Sequence, residues 1–179
     1  IVGGDTVKSN KLVINIALLG KVEKNRLITR SGARPGDVIF VTGRLGRSLQ
    51  SGRHLSFTPR LAESRYLVSK VKPTAMIDIS DGLAADLGHI LEESKVGAEL
   101  CANSIPGAPG ASLNNALYDG EDFELLFTLS PRDALRLKVM RHKFHFYEIG
   151  RICPRKAGLI MVGADGKTKR IIPEGFSHF

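Results

Sequence analysis

Between Ala75 and Ser94 the chain reads AMIDISDGLAADLGHILEES, and its apolar period changes partway through. Up to Ile79 the apolar residues suit a short strand. From Leu83 onward, Leu83, Leu87, Ile90 and Leu91 fall on one face of a helix. A strand that passes straight into an amphipathic helix needs a second layer to cover both, which confines the chain to mixed α/β or α+β architectures. The join itself is polar: Asp78, Ser80, Asp81 and Gly82. On a strand, Asp78 and Ser80 share the face opposite Ile77 and Ile79. Either Ser80 or Asp81 caps the helix, or the corner gathers a metal ion and phosphate. Magnesium takes one or two carboxylates and leaves its other positions to water and phosphate, and helix N-termini favour phosphate. Capping accounts for one polar residue and leaves Asp78 without a reason.

The same alternation runs through the rest of the chain. Strands are expected over 11–20 (KLVINIALLG), around 26–29, and over 37–46 up to Gly43 and Gly46. Further strands are expected in GAELCA, FELLFTL, FYEIGRI and GLIMVG. SFTPRLAESRYLVSKV reads as a helix opened by Pro59, and SPRDALRLKVMR as one capped by Ser130 with Pro131 at its first position. NSIPGAPGASLNNA reads as a loop.

Bulk properties narrow the classes. The chain has 179 residues, 42% hydrophobic and 25% charged, which suits a globular protein. No apolar run reaches the ~20 residues of a membrane helix. Cys101 and Cys153 form no zinc pattern, and reduced thiols of a cytoplasmic protein are expected. The net charge of +8 is scattered, without a nucleic-acid motif, and favours phosphorylated small molecules over nucleic acid as partners. The IVGGD start carries no initiator Met or signal-like region, and an N-terminal truncation is expected.

Four further stretches bear on chemistry. YDGEDFELLF gathers Asp119, Glu121, Asp122 and Glu124 around Gly120, as a polar turn or as a second ligand site at a strand mouth. GGDT (3–6) offers a close backbone approach plus the oxygens of Asp5 and Thr6. TRSGARPGD sets Arg30 in a constrained loop, where its guanidinium suits a phosphate. GADGKTK lacks the first glycine of a phosphate-binding P-loop and reads as a hairpin turn instead. His142 and His145, in RHKFH, read as a solvated basic segment, and His89 as a surface partner of its own helix.

Taken in order, GGDT, RSGARPGD, FTPRLAE, IDISDGLAADLGHI, DGEDFELLF, IGRI and GFSHF resemble the thiamine-monophosphate kinase family. That family sits in an ATP-using superfamily with aminoimidazole ribonucleotide synthetase, selenophosphate synthetase and a hydrogenase-maturation protein. The resemblance implies an α+β fold: remnant strands of an N-terminal domain over 1–26, then a C-terminal domain of the aminoimidazole ribonucleotide synthetase type over 27–179, with a mixed sheet and flanking helices. It implies transfer of the γ-phosphoryl of ATP, with magnesium, onto thiamine monophosphate, in a cytoplasmic homodimer. Gly4, Asp5, Arg30 and Ser80 would contact ATP. Asp5, Asp78 and Asp81 would bind magnesium, while Glu121 and Phe176 would face thiamine monophosphate. The family carries a further region before GGD, so this chain alone is expected to be inactive. Another enzyme of the superfamily, or a non-catalytic nucleotide-binding module, is the alternative.

Overall fold

The computed structural model describes residues 3–175. Its strands are β1 (Val38–Val41), β2 (Ala75–Ile79), β3 (Val96–Cys101), β4 (Glu124–Leu129), β5 (Tyr147–Pro154), β6 (Leu159–Val162) and β7 (Thr168–Arg170). Its α-helices are α1 (Ser48–Ser51), α2 (Leu61–Lys70), α3 (Leu83–Ser94), α4 (Leu113–Tyr118) and α5 (Pro131–Val139). The strands form one sheet in the order β2-β4-β1-β5-β3-β6-β7. Every pairing is antiparallel except β3 with β6. The result is the expected α+β domain with a mixed sheet.

Strand alternation divides the core between the two faces of the sheet. Ile39, Val41, Ile77, Ile79 and Leu126 pack with Leu83, Leu87, Ile90 and Leu91 of α3. Phe40, Phe127 and Leu129 pack with Leu67 of α2 and with Ala134 and Leu137 of α5. Helices on both faces explain why β1 and β4 are apolar almost throughout. Phe40 and Phe127 sit opposite each other in the ladder and stack with centroids 5.4 Å apart, an arrangement worth about 1 kcal/mol beyond area burial. In the IGRI stretch, Gly150 is required by space: a Cβ there would run into the carbonyl oxygen of Glu99 on β3.

Several local expectations hold. Ser130 accepts the Asp133 amide at 3.2 Å, and Pro131 opens α5. Gly166, at φ 74°, turns the β6–β7 hairpin, which removes the P-loop reading.

Others are corrected. No strand forms over 11–20; residues 3–23 carry neither helix nor strand, and Leu12, Ile14, Ile16, Leu18 and Leu19 are exposed. Sequence propensity there lacks a ladder partner among the described residues, and an unpaired strand is not stable alone. Around 26–29 the chain makes a 3-10 turn (Lys24–Arg26), not a strand. α2 begins at Leu61, so Pro59 precedes its cap, Arg60. The presumed loop 103–116 contains the start of α4, capped reciprocally by Ser112 and Asn115. His142 is not simply solvated: its ring lies 5.5 Å from that of Tyr66, and its Nδ1 is 2.9 Å from the Phe144 carbonyl.

Candidate active site at the mouth of β2 and β4

β2 and β4 end together, with Ile79 opposite Glu124 as their last pair. Beyond that pair the two chains remain tied. The Phe123 amide donates to the Ile79 carbonyl at 2.8 Å, and the Glu121 amide donates to the Ser80 carbonyl at 2.7 Å. Asp78, Ser80, Asp81 and Glu121 therefore meet at one sheet end. Asp78 is exposed, while its neighbours Ile77 and Ile79 enter the core, as the alternation requires. Ser80, Asp81 and Glu121 are half-buried.

Neither Ser80 nor Asp81 caps α3. The N-cap is Gly82, which offers no side chain, and the exposed amides are satisfied from inside the helix. Asp86 Oδ2 accepts the amides of Ser80 (3.0 Å), Asp81 (3.0 Å) and Gly82 (3.1 Å). Asp86 is 1% exposed. Burial pushes its carboxyl up to about 6, with the charges of Asp81 and Asp78 adding to the rise and the backbone amides opposing it. The sequence sets Asp86 three residues before His89 as a surface pair or helix contact; the structure buries it against the Ser80–Gly82 turn instead, and its position one turn into the helix, behind a glycine cap, is the signal for that role. Gly82 has φ 113°, and a Cβ there would lie 2.9 Å from the Leu117 carbonyl of α4, so a larger residue is excluded twice.

The helix beyond adds a nitrogen. Carboxylate oxygens of Asp81 and Asp86 and a ring nitrogen of His89 lie within 4.8 Å of one another. A cleft of about 340 Å³ opens beside them, lined by Asp81, Ala85, Gly88, His89, Pro173 and Gly175.

The acidic cluster before β4 divides. Asp122 is 2% exposed; its oxygens accept the Gly46 amide at 3.0 and 2.9 Å and pair with the Arg53 guanidinium. Burial pushes this carboxyl up to about 6 as well, against the pull of the Gly46 amide and Arg53 and with a push from Glu124. Glu124 is also buried. Its two oxygens take a fork from Arg60 at 2.7 and 2.6 Å, and Thr42 Oγ1 donates to it at 2.7 Å. Asp119 accepts the Arg47 amide at 2.9 Å. Asp119, Asp122 and Glu124 are thus structural ties, and Glu121 lies at the mouth, its amide on the Ser80 carbonyl.

Arg30 is exposed on a segment that runs beside β2, where the Met76 amide donates to the Thr29 carbonyl at 3.0 Å. Ser94, the last residue of α3, holds this segment: its hydroxyl donates to the Arg30 carbonyl and accepts the amides of Gly32 and Ala33. Gly4 and Asp5 are exposed, and the bond that involves Asp5 is local, from the Thr6 amide. The structure does not draw them to the corner. Phe176 and the rest of GFSHF lie outside the described residues; Gly175, just before, passes against Asp81 and Ala85.

No family model matches the chain. It is 38% identical over 189 residues to the thiamine-monophosphate kinase of Rhodopirellula baltica, covering 99% of this chain and 58% of that protein. It is 37% identical to that of Haemophilus influenzae (100% and 63%) and 35% identical to that of Buchnera aphidicola from Acyrthosiphon pisum (100% and 64%). The chain therefore spans about three fifths of the length of these relatives. Among solved structures it resembles AaThiL complexed with AMPPCP and TMP, at TM-score 0.67 and 30% identity over 85% of this chain and 54% of that one. It also resembles the hydrogenase maturation protein HypE in complex with ATP, at TM-score 0.67 and 22% identity over 84% and 54%, a likeness of fold alone. Over its whole length, the chain is similar in sequence to thiamine-monophosphate kinases, at 35–38% identity.

Proposed function

We propose that the protein carrying this chain uses ATP to phosphorylate thiamine monophosphate, giving thiamine diphosphate. The observation that carries this reading is the end-to-end identity of 35–38% with kinases of that name. The meeting of Asp78, Ser80, Asp81 and Glu121 at one sheet end is consistent with it.

Donor and acceptor are both phosphates, so the main obstacle is repulsion between anions, and catalysis consists of charge neutralisation and alignment. Asp78, Asp81 and Asp5 offer the hard oxygen donors that suit magnesium, which when bound supplies positive charge between the phosphates. Arg30 adds a fixed cation, and its segment is held at the backbone by Ser94. The Ser80 hydroxyl and Gly4 contact the nucleotide. Asp86 keeps the Ser80–Gly82 turn in shape by taking its three amides. Glu121 faces the cationic thiazolium, and Phe176 offers an aromatic face to it. No covalent nucleophile is required.

The same reading assigns residues 1–26 to an N-terminal domain and 27–179 to the C-terminal one. The local hydrogen bonds of the first segment, against the single sheet of the second, support that boundary. A cytoplasmic homodimer belongs to this reading too. Among the described residues, no helix is long and apolar enough to cross a membrane.

The test is ATP-dependent formation of thiamine diphosphate by the full-length gene product. Turnover that requires thiamine monophosphate and magnesium is expected. Absence of product at millimolar acceptor, with ATP consumed on a different substrate, would move the protein to another branch of the superfamily.

A further inference from the structure

Asp122 lies between two non-glycine residues in the left-handed region: Glu121 at φ 56° and Phe123 at φ 51°. Each costs on the order of 1 kcal/mol and persists only where surrounding contacts over-determine it. Here the contacts come from two directions. The amides of Glu121 and Phe123 are taken by the carbonyls of Ser80 and Ile79, across the sheet end. The buried Asp122 carboxylate between them is taken by the Gly46 amide and the Arg53 guanidinium, from the segment that follows β1. Phe123 is further fixed by Phe57, whose ring stacks on it with centroids 4.3 Å apart.

We propose that Asp122 is a positioning residue for the acceptor substrate. By anchoring the turn to Gly46 and Arg53 it holds Glu121 at the Ser80–Asp81 corner and so sets the affinity for the cationic acceptor. This rests on the kinase reading above. Asp122 itself touches neither substrate. If the anchor is removed, Glu121 and Phe123 relax toward ordinary backbone angles and the Glu121 side chain leaves its place, while Asp78 and Asp81 on the other strand stay where they are. The acceptor side of the site then loosens and the nucleotide side does not.

The test has two readouts. The first is amide hydrogen exchange in Asp122→Asn, in which one acceptor oxygen becomes an N–H donor that faces a donor, the Gly46 amide or the Arg53 guanidinium. The Glu121 and Phe123 amides are expected to exchange at least about tenfold faster, with Leu126–Leu129 of β4 unchanged within about twofold. The second is kinetics of the full-length protein. KM for thiamine monophosphate is expected to rise about tenfold, below the ~100-fold that a 1 Å misplacement can cost, with kcat and the KM for ATP within about twofold. Unchanged exchange at the two amides, a uniform increase along β4, or an equal rise in both KM values would overturn the proposal. Should Asp122→Asn not fold, Arg53→Met removes the same anchor from its other end and is held to the same outcomes. A wild-type protein that does not phosphorylate thiamine monophosphate overturns the kinase reading, and the exchange data alone then uphold or overturn the anchoring.

Discussion

The Glu121 amide donates to the Ser80 carbonyl at 2.7 Å, so the acidic turn before β4 and the polar corner after β2 form one structure. Two stretches far apart in sequence are thus tied through backbone hydrogen bonds, at the border of the site that Ser80 and Glu121 share.

Asp78 is exposed and pairs across the sheet only through its backbone, so its carboxylate adds little to stability. Asp78→Asn is expected to lower magnesium-dependent turnover of the full-length protein by about 100-fold or more, the scale of several kcal/mol of lost charge stabilisation. Its melting temperature should stay within about 2 °C of wild type. A variant that melts much earlier while retaining activity would make Asp78 structural.

Asp86 closes the start of α3 from within. Asp86→Ala leaves three amides around Ser80–Gly82 without their acceptor and is expected to cost about 2 kcal/mol. Urea unfolding measures it; a midpoint equal to wild type would mean that water replaces the carboxylate without loss.

Asp122 makes stability depend on pH in the direction opposite to most carboxylates. Its folded-state value of about 6 lies above the ordinary 3.8 because burial disfavours the charge, with the nearby Glu124 adding. Between those values the folded protein holds a proton that the unfolded chain has released. The contribution is therefore full below about 4 and is lost as pH rises through 6. Urea midpoints of wild type and Asp122→Asn at pH 5 and pH 7 should show wild type gaining on the variant at pH 5. A gap that does not change with pH would refute the assignment.

Arg60 and Glu124 test the buried ties on the other side of the turn. Arg60→Met leaves the Glu124 carboxylate buried with only Thr42 and is expected to cost about 2–3 kcal/mol, less than a fully buried pair because Arg60 is 30% exposed. Combining it with Glu124→Gln should recover part of that loss in thermal unfolding; a purely additive double variant would show that the two do not act as a pair.

Local pattern was enough for the strand–helix alternation, for α3 and its apolar face, for the Ser130–Pro131 start of α5 and for the β6–β7 hairpin. Each is decided by residues within one turn or one strand of one another, at periods that sequence displays directly. The polar corner at Asp78–Gly82 was legible for the same reason. The roles of the acids around it were not. Asp122 finds Gly46 across 76 positions, and Glu124 finds Arg60 across 64, so burial and pairing turned two candidate ligands into anchors. Capping passed from Asp81 to Asp86 because a buried carboxylate one turn into the helix reaches three amides at once. The apolar run 11–20 shows the converse. Its composition says strand, but a strand exists only where another chain segment supplies the ladder, and among the described residues none does.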